Sequence, residues 1–453
     1  MPRVYIKTFG CQMNAYDSGK MRAILGKDGF ESTEDLADAD VVIVNTCSIR
    51  EKPEAKLHSF IGRILPMKRQ RRVVIGIAGC MAQVDGERLF KKYPKVDLVF
   101  GPDAVSRIGE MVEAANTQRV LDTEFLGEEG YLFPSDVDPE AARRVGAFVT
   151  IQKGCDNRCT FCIVPSTRGD EVSRPFAEVL EEVRALVSIG VKEITLIGQN
   201  VNSYGLKIPG HPSFADLLRA VAAVSGVEMI RFTTSHPRDL GDDVVDCYRD
   251  LPNLSSHLHL PVQSGSDRVL RRMKRFYTRD HYVGVIRKLR AARPDFVVTT
   301  DVITGFPGES DADFDETMSL LDEVRFHASF SFNYSPRPGT PALRLLDEAV
   351  PDAVAQARLE RFQARQREIA IEEHAALVGT TQRVLVEGPS AHDDGVMCGR
   401  TSTFKTVNFM GGEGLVGTWV LVRITRGFAN TLRGEAIDQG EPPAPMNSHM
   451  PPT

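Results

Sequence analysis

Val41-Val42-Ile43-Val44-Asn45-Thr46-Cys47 is an apolar, mostly β-branched run that stops at a cysteine, and the chain repeats this design twice more in its first hundred residues. Val4 to Gly10 runs into Cys11, and Val73 to Gly79 runs into Cys80. Short continuous apolar runs of this kind read as buried strands. Helical spacing follows each of them, over Asp17 to Leu25, Glu54 to Met67 and Gly86 to Lys92. The order β-α-β-α-β-α implies a parallel sheet, because parallel neighbours need a crossover between them. Ligands of such sheets sit outside the carboxyl ends of the strands. Three cysteines distant in sequence can therefore meet at one edge.

The alternation resumes at Val145. Strands are expected near Phe148 to Gln152, Glu193 to Ile197, Met229 to Thr233, His257 to Leu260, Val297 to Ile303 and Ser329 to Tyr334, with helices over Phe176 to Ser188, Phe214 to Ala223, Arg279 to Ala292 and Asp311 to Val324. About six βα units fit an open, partial barrel rather than a full eight-unit one. Asn116 to Arg144 has little periodicity and reads as a linker. Pro351 to Leu377 is a charged helix, and short β-branched runs after it (Gln382 to Glu387, Thr406 to Phe409, Trp419 to Ile424, Leu432 to Ala436) suggest a small barrel with Trp419 in its core. The Pro-rich end reads as disordered. The expected fold is α/β, with an N-terminal parallel α/β sheet domain, a partial (β/α)6 barrel and a small C-terminal β-barrel. The expected boundaries are 2–118, 141–371 and 374–437, with a tail over 438–453.

The 453 residues carry 55 basic and 61 acidic side chains, a net charge of −6, and are 42% hydrophobic. That balance is globular and excludes a polybasic nucleic-acid coat, so any nucleic-acid partner has to be held by local basic patches. No apolar signal core or membrane span is visible, which points to a cytoplasmic protein. Eight cysteines are too sparse for a disulfide scaffold. Their spacing instead suggests metal chemistry.

Gly154-Cys155-Asp156-Asn157-Arg158-Cys159-Thr160-Phe161-Cys162 is a C-x3-C-x2-C run directly after the first barrel strand. Three thiolates on one loop can converge on one centre, and thiolates select zinc or iron-sulfur clusters. Structural zinc normally takes four protein ligands. Three cysteines without a nearby fourth fit a cubane with one iron left open. Cys247 and Cys398 have no such context and read as structural.

The run, with Phe161 before its last cysteine, resembles the motif of radical S-adenosylmethionine enzymes. Phe9-Gly10-Cys11-Gln12-Met13-Asn14, Asn45-Thr46-Cys47-Ser48-Ile49-Arg50-Glu51-Lys52 and Gly79-Cys80-Met81-Ala82-Gln83 resemble the N-terminal domain of the methylthiotransferases within that superfamily. The resemblance spans about residues 2 to 437, and its last part is similar to the RNA-binding TRAM module. It implies two 4Fe-4S clusters, one on Cys155, Cys159 and Cys162 that cleaves S-adenosyl-L-methionine, the other on Cys11, Cys47 and Cys80 that donates sulfur. Gln12-Met13-Asn14, Ser48 to Lys52, Arg168 to Pro175, Gly198 to Asn202, Thr234 to Pro237, Leu260 to Ser266 and Gly305 to Glu309 resemble the branch acting on N6-dimethylallyladenosine beside the tRNA anticodon. Methylthiolation at C2 of that base is the activity implied, with an electron donor such as a flavodoxin or ferredoxin.

Phe161, Gln199, Asn200, Ser235 and Gln263 fall on the cysteine loop or just past predicted barrel strands, the rim where a barrel places ligand contacts. They are the cofactor-binding residues that the resemblance implies, whereas on the residues alone ordinary loop capping by Asn, Gln and Ser is the favoured reading of four of them. Arg271, Arg272, Lys274 and Arg275 surround Phe276 and Tyr277, a pattern suited to phosphates and stacked bases. With Arg400 and Lys405 of the small barrel they are the expected RNA contacts, and Lys68, Arg69, Arg71 and Arg72 form a further basic run. Two other readings stand beside this one: a methylthiotransferase for threonylcarbamoyladenosine or a ribosomal protein, and a non-catalytic iron-sulfur or zinc RNA-binding protein.

Overall fold

Six parallel strands build the N-terminal sheet: β1 (Arg3–Phe9), β2 (Glu31–Ser32), β3 (Val41–Thr46), β4 (Val74–Ala78), β5 (Leu98–Phe100) and β6 (Val120–Asp122), in the order β2-β1-β3-β4-β5-β6. β3 is buried along its whole length, as a continuous Val-Val-Ile-Val run requires when both faces of a sheet are covered. Alternate residues feed two cores. Ile43 packs with Met21, Leu25 and Phe100, while Val42 and Val44 pack on the other face with Leu57, Phe60 and Ile61. Each such side chain removed from water contributes roughly 1.5–3 kcal/mol. Helix α1 (Gln12–Lys27) follows β1 directly.

The computed structural model describes residues 1–47, 51–127, 131–391 and 393–437, and of 51–55 the backbone alone. The predicted tail over 438–453 and the motif residues Ser48, Ile49 and Arg50 lie outside the described residues. One expectation needs correction. The expected linker supplies β6, and its Asp138 pairs with Arg22 of α1 at 2.6 Å, so this interval is tied to the sheet. The expected helix over Gly86 to Lys92 is present as Glu87–Lys92, and a further short helix, Cys80–Asp85, precedes it.

The second sheet system holds β7 (Gly146–Thr150), the hairpin β8 (Gln152–Lys153) and β9 (Val172–Ser173), then β10 (Glu193–Ile197), β11 (Met229–Phe232), β12 (His257–His259), β13 (Val297–Thr304) and β14 (Ala328–Asn333). β11-β10-β7 and β12-β13-β14 are two three-stranded parallel sheets, joined by a parallel bridge between Ile230 and Leu254. This is the partial six-stranded barrel. Its helices begin where the sequence provides caps: Ser213 with Asp216, and Ser310 with Asp313, form reciprocal capping boxes.

Contacts divide the chain into two compact units, residues 1–366 and 367–453. The second holds a closed barrel of β15 (Thr381–Pro389), β16 (Val396–Thr401), β17 (Thr406–Met410), β18 (Trp419–Gly427) and β19 (Leu432–Ala436). Its core is Val384, Val386, Met397, Val407, Phe409, Val422, Ile424 and Leu432. Trp419 does not join that core. It is half-buried, with the Arg383 guanidinium 4.2 Å from its ring, because it falls on the outward phase of β18 while Val420, Val422 and Ile424 face inward.

Candidate active site

The first thiol trio is assembled by the N-terminal sheet. Cys11 caps α1, Cys47 follows β3 and Cys80 opens the helix Cys80–Asp85. Two buried asparagines lock the strand ends beneath them. Asn14 Nδ2 donates to Asn45 Oδ1 at 2.9 Å, and Asn45 Nδ2 donates to the Asn14 carbonyl at 2.9 Å and to Ser18 Oγ at 3.0 Å. The Cys11 thiol donates to Asn14 Oδ1 at 3.3 Å. Gly79 has φ 91°, and a Cβ there would lie 2.3 Å from Asn45 Oδ1, so the turn into Cys80 requires glycine. The Cys47 thiol lies close to both neighbours. That contact, with the nearby Arg168 guanidinium, pulls the Cys11 thiol down to about 6 and the Cys80 thiol to about 7. Cys47 itself is pushed up, by Cys11 first and then Cys80.

The second trio sits on the loop between β8 and β9. Cys155 and Cys159 are buried and Cys162 half-buried. The loop is pinned at several points. The Cys155 N–H donates to the Gly169 carbonyl at 3.2 Å, the Gly154 N–H to Gln199 Oε1 at 2.5 Å and the Thr160 N–H to the Met273 carbonyl at 3.0 Å. Gly154 has φ 73°, and a Cβ there would lie 1.9 Å from the Asp170 carbonyl oxygen. Burial, helped by the neighbouring thiols, pushes Cys155 up to about 11 and Cys162 up to about 12. The buried Arg275 partly offsets this at Cys162, and its Nη1 lies 3.4 Å from Cys159 Sγ. Both trios offer three sulfur donors in dry surroundings, the donor set of iron-sulfur and zinc centres. Cys247 and Cys398 join neither trio: Cys247 is buried against the Ala215 carbonyl, and Cys398 lies on β16.

The helix that Cys11 caps packs on the barrel. The start of α1 lays Met13 and Tyr16 against Phe148 of β7 and Ile197 of β10. Buried ion pairs fasten the contact: Lys20 Nζ is 2.8 Å from Glu182 Oε1, Arg168 Nη2 is 2.7 Å from Asp17 Oδ2, and Arg174 also pairs with Glu182. The Tyr16 hydroxyl donates to Glu182 at 3.1 Å.

The barrel rim past β10 and β11 is polar and partly unsatisfied. Asn200 Oδ1, both amide atoms of Asn202, Ser235 Oγ and His236 Nε2 are buried without a hydrogen-bond partner among the described residues. Such groups normally find partners, so this cluster at the ends of β10 and β11 suits a polar ligand. Thr234 and Gln263 have φ 67° and 74°, left-handed conformations whose strain of about 1–3 kcal/mol gathers at ligand sites. Burial drives His236 down to about 2, which keeps it neutral. Of the expected cofactor residues, Asn200 and Ser235 belong to this cluster, and Gln263 is buried and bonded through its backbone to Asp301 and Ile303 of β13. Gln199 instead holds the cysteine loop through Gly154, and Phe161 packs beside Val269, Met273, Phe306 and Ala342. A set of amino, hydroxyl and carboxylate groups would satisfy the orphaned atoms.

Residues 149–321 match the radical SAM superfamily, residues 375–437 the TRAM domain, and residues 3–101 a family described as uncharacterized protein family UPF0004. A protein of Geobacter metallireducens named tRNA-2-methylthio-N(6)-dimethylallyladenosine synthase is 50% identical over 435 residues, covering 95% of this chain and 98% of its own. One of the same name from Myxococcus xanthus is 49% identical over 448 residues, covering 98% and 96%. The chain belongs to this synthase family. Among solved structures, the radical S-adenosylmethionine methyltransferase TsrM of Kitasatospora setae, with cobalamin and a 4Fe-4S cluster bound, has TM-score 0.55 at 14% identity, over 88% of this chain and 81% of its own. The cobalamin-dependent radical enzyme OxsB has TM-score 0.53 at 12% identity, over 80% and 56%. These two likenesses concern the fold.

For a family member the basic residues need re-sorting. Arg271 and Lys274 are exposed. Arg275 is not on the surface: it is buried against Cys159 and donates to the Pro261 carbonyl at 2.9 Å. Arg272 is held by Glu348 at 2.9 Å and by the Pro307 carbonyl. Lys405 is also buried, and Arg400 pairs with Glu387 at 2.9 Å. Lys68 is held by Asp97. The exposed cations of the small barrel are Arg383, Arg423, Arg426 and Arg433, on the adjacent strands β15, β18 and β19. Their isolation one by one in the sequence hid them. Only their outward phase on paired strands reveals a basic face.

Proposed function

We propose that this chain methylthiolates C2 of N6-dimethylallyladenosine adjacent to the anticodon of tRNA, giving 2-methylthio-N6-dimethylallyladenosine. The observation that carries the reading is the presence of two separate thiol trios, one on the N-terminal sheet and one on the loop after the first barrel strands, in a chain about half identical, over nearly its whole length, to synthases of that name. Cys155, Cys159 and Cys162 would hold one 4Fe-4S cluster and Cys11, Cys47 and Cys80 the other. Together with S-adenosyl-L-methionine these supply a carbon radical and a sulfur to be transferred. The chain's own part is positional. Asn200, Ser235 and Gln263 orient the cofactor at the rim, and Arg275 offsets thiolate charge beside Cys159. The domain contact through Tyr16, Lys20 and Glu182 holds the two trios around one substrate.

A purine C2 is shielded in a stacked loop, so the base has to be splayed into the mouth, which single-stranded anticodon loops allow at modest cost. Arg271, Lys274 and the basic face of the small barrel would take the phosphates. The parts are 2–118 for the sulfur-donating trio, 141–371 for the radical core and 374–437 for the RNA-binding module. A flavodoxin or ferredoxin supplies electrons, and the setting is the cytoplasm; no helix among the described residues is long and apolar enough to cross a membrane. Nucleoside mass spectrometry of tRNA from a strain lacking this protein tests the proposal. The methylthio nucleoside should vanish, its N6-dimethylallyl precursor should accumulate, and the gene in trans should restore it. An unchanged nucleoside profile would overturn it.

A further inference from the structure

The assignment of the trios leaves one buried cation between them without a task. Arg168 ends a five-residue helix, Val164–Arg168, that begins two positions after Cys162. The next residue, Gly169, accepts the Cys155 N–H through its carbonyl at 3.2 Å. The backbone of Arg168 is thus braced against both ends of the radical-trio loop. Its side chain goes the other way. Nη2 lies 2.7 Å from Asp17 Oδ2 on α1, the helix that Arg168 ends packs on the helix Cys80–Asp85, and the guanidinium lies close enough to Cys80 and Cys11 to act on both through its field. The side chain is only 5% exposed.

A guanidinium so dry is costly unless anions surround it. One carboxylate, itself pushed toward its neutral form by burial, is a meagre partner. The sulfurs of the first trio complete the set. Arginine suits the place because its planar fork can serve a carboxylate and a sulfur at once, where the point charge of lysine serves one.

We infer that Arg168 is a positioning residue that ties the radical trio to the sulfur-donating trio, setting their separation through its backbone and the charge around Cys11 and Cys80 through its side chain. The inference rests on the two-cluster reading given above. Hydrogen bonds and positive charge near cluster sulfurs favour the reduced, more negative state. Arg168 therefore raises the potential of the N-terminal centre and leaves the other untouched.

The test uses full-length protein reconstituted anaerobically, with iron counted and each centre followed by EPR during a redox titration. The parent should hold about eight irons. Fewer irons, or zinc, would refute the two-cluster reading itself. In Arg168→Met the midpoint of the centre assigned to Cys11, Cys47 and Cys80 should move to more negative potential, with the Cys155, Cys159 and Cys162 centre unmoved. Arg168→Lys, which keeps the charge and loses the fork, should move it less, and it carries the test if the methionine variant does not fold. Lys20→Met is the control. It breaks another buried pair across the same domain contact while Glu182 keeps Arg174, and both midpoints should stay put. Two centres with parent-like midpoints in Arg168→Met and Arg168→Lys would overturn the inference, as would a Lys20→Met shift equal to that of Arg168→Met.

Discussion

The two thiol trios solve one chemical problem in opposite ways. Cys155, Cys159 and Cys162 lie within eight consecutive residues, and local hydrogen bonds hold their loop. Cys11, Cys47 and Cys80 lie 36 and 33 positions apart and meet only because β1, β3 and β4 are adjacent parallel strands in register. The contiguous trio depends on loop chemistry. The dispersed trio depends on the whole sheet behind it, which makes it the more fragile of the two. A difference in construction becomes a difference in how each site fails.

Cysteine removal should break the comparison most sharply. Cys159→Ala should abolish both 5′-deoxyadenosine formation and methylthiolation, whereas Cys47→Ala should abolish methylthiolation alone; full product from the Cys47 variant would remove its trio from the reaction. Next in size is Ile43→Ala, in the centre of β3, where it is fully buried. A truncation of that kind costs about 2–5 kcal/mol, and on stepwise heating iron should leave the dispersed trio before the contiguous one. The mirror experiment is Gly154→Ala. It forces a side chain onto φ 73° and the Asp170 carbonyl, with strain of about 1–3 kcal/mol from the backbone alone. EPR of the reconstituted variant should show the signal of the contiguous centre lost first. Smallest is Arg271→Ala or Lys274→Ala. Each should weaken tRNA binding at every sequence and reduce the salt slope by about one, with iron content unchanged in both centres.

The same contrast explains what the sequence made legible. A C-x3-C-x2-C run is visible without a fold, and the dispersed trio was visible because each cysteine ends an apolar run. Strands β2, β5 and β6 escaped because two or three residues carry no period, and β16 because Met397, Cys398 and Gly399 interrupt its β-branched pattern. Asn14 and Asn45 were part of quoted motifs, yet their mutual hydrogen bonds appear only once β1 and β3 are side by side. The arginines were hardest. Arg275 and Arg168 stand in polar surroundings that read as surface, and it is tertiary placement beside sulfur that buries them. Thr234 and Gln263 gave no warning of left-handed backbone, because nothing in those residue types calls for it.

The ionic lock of Tyr16, Lys20, Arg174 and Glu182 bears on how this chain can be recombined. Glu182 sits on the helix Phe176–Ser188 of the barrel, and its partners Tyr16 and Lys20 sit on α1. A hybrid that grafts a foreign N-terminal sheet onto this barrel inherits one half of the lock and buries unmatched charge, a penalty of several kcal/mol. The second compact unit, residues 367–453, contains none of these four residues, so swapping the C-terminal barrel between relatives should give soluble, cluster-bearing hybrids. Exchanging the first hundred residues should succeed only when Glu182 and Arg174 travel with them.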